Sequence, residues 1–97
     1  MNFIDYQKME KNYRCVYFHK NNNDEIFYVG IGTKHRANAR NRPKEWVDYV
    51  KNNGLKVEII HEKLTFDEAR EFEIAYIKLF GRKDIGQGIL INKTNGG

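Results

Sequence analysis

The chain reads as an α+β domain: a small, three-stranded, mostly antiparallel sheet flanked by helices in the order β-β-α-β-α. Two runs rich in β-branched and aromatic residues, Cys15-Val16-Tyr17-Phe18 and Ile26-Phe27-Tyr28-Val29-Gly30-Ile31, flank an Asn/Asp-rich turn, the pattern of an antiparallel hairpin. A third run, Leu55-Lys56-Val57-Glu58-Ile59, alternates apolar and polar residues as a half-buried strand does. The segments before and after that third run carry the 3.6-residue period of helices. At 97 residues, 40 % hydrophobic, the chain is expected to make one domain over 1–97 with a modest core and no separate second domain.

Residues 1–12 fit either a short helix or an extended arm. Tyr13–His19 predicts the first strand, Lys20–Glu25 a turn, and Ile26–Ile31 the second strand. Gly30 and Gly32 allow the backbone to bend or approach a neighbour closely. Thr33 caps a short helix expected to run to about Arg40. Pro43 interrupts it and opens a second piece, about Lys44 to Asn52, with Trp46, Val47 and Val50 on its apolar face and Asn53-Gly54 as its stop. Leu55–His61 predicts the third strand. Thr65 followed by Glu68 is a capping box, and the helix it opens is expected to reach Phe80, with Gly81 as terminator. Ile85–Leu90 predicts a loop, and Ile91–Thr94 an irregular stretch or a short helix.

Seventeen Lys and Arg against 13 acids give a formal charge of +4, a balance that permits a polyanionic partner without requiring one. Their placement is more informative. Lys34, Arg36, Arg40, Arg42 and Lys44 lie in one acid-free stretch together with His35. Such a segment suits sequence-independent contacts to backbone phosphates, so these five are the candidate contacts for a polyanion, which the resemblance given below makes DNA. A lone cysteine, Cys15, in an apolar run is expected to be buried and inert, and points to a reducing compartment. The polar N-terminus is no signal peptide, and no run approaches the ~20 apolar residues of a membrane span. A cytoplasmic protein without membrane contact is expected.

One residue breaks the local rule. Ala69, Phe72, Glu73, Tyr76, Ile77 and Phe80 follow the spacing of a single apolar helical stripe, and Glu73 is its only charged member. Burying an ionised carboxylate costs several kcal/mol unless it is paired or binds a metal. Stability alone would place Leu or Ile there, so Glu73 is a candidate for chemistry. Tyr17 and Tyr28 lie on the two hairpin strands, where a short turn can bring their hydroxyls out on one face.

These positions carry a resemblance. Cys15-Val16-Tyr17, with Tyr28-Val29-Gly30 following, resembles the paired motif of the GIY-YIG nuclease family. Arg36 follows on the next helix. Phe72-Glu73-Ile74-Ala75-Tyr76-Ile77-Lys78 is similar to the family's glutamate helix, and Asn92 in Leu90-Ile91-Asn92 stands where the family has its asparagine. The stretch from Tyr28 to Trp46 and the ending ILINKTNGG look most like the small phage and mobile-element branch, which includes homing endonucleases. The likeness covers about residues 14–95. It implies a GIY-YIG-like fold and a metal-dependent endonuclease that hydrolyses phosphodiester bonds in DNA. Carried over, Glu73 binds one divalent cation, Mg²⁺ or Mn²⁺; Tyr17 helps activate the attacking water; Tyr28 and Arg36 hold the scissile phosphate; Asn92 supports the geometry. One site cuts one strand, so a monomer is expected to nick, and double-strand cleavage to need a dimer. A monomer or weak homodimer in the cytoplasm of a phage-infected or bacterial cell follows.

The chain departs from the family at two places. Cys15 replaces the usual first glycine. Arg40 stands one helical turn after Arg36, where many members carry a histidine; it can bind phosphate but cannot shuttle a proton. Arg40 can also itself be the arginine of the site. His19, two residues from Tyr17 and so on its face of the strand, and His35 are candidate substitutes for the missing histidine, and Lys20 for the site's edge. Taken singly, both histidines are expected on the surface and Trp46 in the core. The alternative function is a catalytically impaired nucleic-acid-binding or protein-interaction module on the same fold.

Overall fold

The computed structural model describes residues 13–96, and the expectation for residues 1–12 lies outside them. Along the chain come β1 (Arg14–Lys20), β2 (Ile26–Gly32), α1 (Lys34–Ala37), α2 (Lys44–Asn53), β3 (Lys56–Leu64) and α3 (Phe66–Phe80), followed by a 3-10 turn at Lys83–Ile85. The strands form one antiparallel sheet in the order β2-β1-β3, so the expected α+β class holds.

The hairpin forms where the polar run lies. The Asn21 side-chain oxygen accepts the backbone N–H groups of Asn23 and Glu25, and Asp24 takes a left-handed φ of 63°. Pairing sets Tyr17 opposite Gly30 and His19 opposite Tyr28. Strand alternation then puts Val16, Phe18 and Val29 on one face, where Ala69 and Ile77 of α3 and Leu90 cover them as the main core. Tyr17 and Ala37 share the other face with Cys15, whose thiol burial pushes above its ordinary pKa, as expected for an inert group.

Two boundaries differ clearly from expectation. The helix after β2 ends at Ala37 rather than near Arg40. Asn38 caps it by donating its backbone N–H and its amide to the Lys34 carbonyl, and Arg42 donates to the carbonyls of Arg36 and Ala39. These bonds satisfy the helix end and hold the 38–43 segment as a loop. β3 runs to Leu64, past the expected His61, because irregular register at Val16 lets Arg14 pair with Leu64. Its charged residues suit an edge strand open to water. After the 3-10 turn, Ile91–Thr94 forms no helix. It runs beside the free edge of β2, where the Ile91 N–H donates to the Phe27 carbonyl. Among the described residues no helix is long and apolar enough to cross a membrane.

Candidate active site

The site is assembled at the open edge of β2. That edge exposes the N–H and carbonyl of Val29, and the Asn92 amide takes both: its oxygen accepts Val29 N–H at 3.1 Å and its nitrogen donates to Val29 O at 2.8 Å. Asn92 thus behaves as a one-residue strand, and it draws the C-terminal segment against the sheet. The cavity beside this hook has a volume of about 580 Å³. It receives Tyr28 and Ile31 from β2, Arg36 from α1, Trp46 from α2, and Phe66, Arg70 and Glu73 from α3.

Tyr17 and Tyr28 come together as expected, with ring centroids 6.5 Å apart and planes 29° from parallel. Their exposure differs. Tyr28 lines the cavity, whereas Tyr17 is 1 % exposed and lies over the backbone of Gly30, where a Cβ would collide with its ring. Burial, then Tyr17, raises the Tyr28 hydroxyl above its ordinary pKa, and Glu73 adds to this; Arg42 and Arg36 oppose it. Tyr28 is therefore a protonated phenol at neutral pH and can donate to an anionic oxygen.

Arg42 is the guanidinium nearest the tyrosines. It lies 5.7 Å from the Tyr17 ring centroid, 5.5 Å from Tyr28 and 5.3 Å from Trp46, and its Nη2 donates to the Tyr17 hydroxyl at 3.3 Å. Its remaining hydrogen bonds go to the Ala39 and Arg36 carbonyls, so backbone and rings fix it from several sides. Expected only as a phosphate contact, Arg42 is the cation packed against both tyrosines and Trp46.

His19 is on Tyr17's face, as expected, but is fully buried rather than on the surface. Its Nδ1 accepts the Trp46 indole N–H at 3.0 Å and its Nε2 donates to the Ala37 carbonyl at 2.8 Å, which specifies the neutral ring. Burial lowers its pKa to about 4; Arg42, Arg40 and Arg36 act in the same direction, and the Ala37 bond opposes. His19 is thereby a strut between α1 and α2. Trp46, 4 % exposed, is in the core as expected.

Glu73 is 8 % exposed, so the acid in the apolar stripe is buried rather than snorkelling to solvent. Its stripe partner Phe72 is instead half out, stacked on His61 with centroids 4.1 Å apart. Gly96 passes so close that a side chain there would meet Glu73 and Ile74. Among the described residues no group of three or more His, Cys, Asp or Glu gathers. The donor set at the cavity fits a hard cation that keeps several waters and takes one protein carboxylate: Glu73 is recessed, the cavity is roomy, and the other acid, Glu45, is tied to Lys93 at 2.7 Å.

The other expected residues fall elsewhere. Lys20 pairs with Glu58, Lys34 with Glu62 and Lys44 with Asp48; none lines the cavity. Arg40 and His35 are exposed and also lie outside its wall, so of the two arginines considered for the site it is Arg36 that faces it. Among the lining residues that were missed are Phe66, Arg70 and Lys93. Phe66 lies three residues before Ala69, so extending the stripe one turn back would have found it; Arg70 lies beside the stripe, and only its place three residues before Glu73 pointed to it. No family model, curated protein or solved structure matches the chain. The likeness to GIY-YIG nucleases rests on its motifs.

Proposed function

We propose that the chain is a small metal-dependent DNA endonuclease of the GIY-YIG type, of the phage or mobile-element kind. One observation carries this: a buried acid, Glu73, shares a single cavity with Tyr28, Arg36, Arg42 and the Asn92 hook. Glu73 would hold the Mg²⁺ or Mn²⁺ ion, which when bound supplies Lewis-acid polarisation of a phosphate and lowers the pKa of a bound water. Arg36 and Arg42 neutralise the charge that grows on the phosphoryl oxygens. Tyr28 donates a hydrogen bond to one of those oxygens. Asn92 keeps the wall beside β2 closed. Tyr17 supports Arg42 from below.

Supercoiled plasmid tests the proposal. Nicking should require Mg²⁺ or Mn²⁺, stop with chelator, and fall at least about a hundredfold in Glu73→Gln while DNA binding is retained. A second reading, a binding module that does not cut, is favoured by the seclusion of Tyr17 and by Arg40 standing outside the cavity. Plasmid left intact under every metal condition, with binding preserved, would establish it.

A further inference from the structure

The nuclease reading uses the acid and the cations of the cavity and leaves its apolar wall without a task. Phe66 is the first residue of α3, 49 % exposed, and belongs to none of the hydrophobic clusters of the described residues. Nothing in the fold requires an aromatic ring there: Thr65 and Glu68 already cap the helix. Phe66, Arg70 and Glu73 are spaced i, i+4, i+7, which places them within roughly a 60° arc of one helix face. All three line the cavity, with Ile31, Pro43 and Ile91 as its other apolar surfaces. One helix face therefore presents a ring, a guanidinium and a carboxylate in succession, across from Arg36 and Arg42.

That succession matches the parts of one nucleotide. A base stacks on a ring, a phosphate pairs with guanidinium groups, and a hard cation joins the phosphate to a carboxylate. A base inside a duplex presents only its edge, so its face cannot lie on Phe66. A volume of about 580 Å³ lies in the range of small-ligand pockets and suits one nucleotide rather than a double helix. We infer that the cavity takes a single unpaired DNA nucleotide, its base stacked on Phe66 and its phosphate between Arg70 and the Arg36–Arg42 pair. This rests on the nuclease reading and narrows it: the preferred substrate carries an unpaired or readily unstacked base at the cut, as in an overhang, a flap or a mismatch.

Stacking can be read without cleavage. With chelator present, a single-stranded DNA oligonucleotide containing 2-aminopurine should bind the full chain, and its fluorescence should change as the base stacks. Phe66→Ala and Phe66→Leu should weaken this binding roughly tenfold and abolish the fluorescence change, while Phe66→Tyr and Phe66→Trp keep both. The leucine variant retains apolar bulk for the fold and removes only the flat ring. Binding to fully paired DNA should change little in any of them. Unaltered single-strand binding and fluorescence in Phe66→Leu would overturn the assignment, as would failure of the parent protein to bind the oligonucleotide. The two readings separate cleanly. Phe66-dependent stacking without metal-dependent nicking removes the enzyme and leaves the pocket; Glu73-dependent nicking with Phe66 dispensable does the reverse.

Discussion

At His19 both ring nitrogens are engaged, one by the Trp46 indole and one by the Ala37 carbonyl. Replacing it with alanine leaves both partners unpaired in the interior and should cost roughly 2–4 kcal/mol, read from denaturant midpoints. Its acidity gives a second test. The folded ring takes a proton only near pH 4, the unfolded one near 6.5. Between those values the unfolded chain holds more protons, so the stability lent by the neutral ring is complete above pH 6.5 and declines as pH falls toward 4. The total is about 3 kcal/mol. His19→Gln, which keeps a donor and an acceptor but does not titrate, should lose much of that slope. Strand alternation already put His19 beside Tyr17. Its burial was not legible, because the residues that neutralise it, Ala37 and Trp46, lie 18 and 27 positions away. Gly30 was legible as a point of close approach but not as the floor under the Tyr17 ring. Gly30→Ala should cost roughly 2 kcal/mol by overpacking and displace that ring, visible in near-ultraviolet circular dichroism.

Among the elements, α3 was the most readable, since its capping box, its stripe and its terminating glycine are all local. Thr65→Ala removes one side of the box and should cost about 1 kcal/mol, a fall of several degrees in thermal midpoint. The loop between α1 and α2 was the least readable. Thr33 announced a helix, and nothing nearby showed that Arg42 would take the carbonyls of Arg36 and Ala39 and end it. Arg42→Lys keeps the charge but has neither the flat ring contacts nor the fork of donors. It should lower stability by roughly 1–2 kcal/mol and reduce nicking along with it, an outcome that separates a shaped clamp from a mere positive charge.

For the molecule as a whole, cations from three segments converge on one mouth: Arg36, Arg42 and Arg70. If each meets a phosphate, the logarithm of single-strand affinity should fall with the logarithm of salt at a slope near −2, and Arg36→Ala should reduce it by about 0.7. Lys34→Ala and Lys44→Ala should leave that slope nearly unchanged, because those charges already answer Glu62 and Asp48 outside the mouth. Here the sequence was legible in bulk and misleading in detail. The basic run from Lys34 to Lys44 marked the correct neighbourhood, yet only Arg36 and Arg42 of it line the cavity, and Arg70 comes from a different segment, among acids.

The Asn92 hook joins the tail to Val29, 63 residues earlier. Contacts that span so much chain carry a large loop-closure cost and are made after the local hairpin and helices. During synthesis, then, a ribosome-bound chain can complete its sheet while one wall of the cavity has yet to be translated. If the proposed cleavage is real, it would wait until the segment around Asn92 has docked, whatever the state of the sheet.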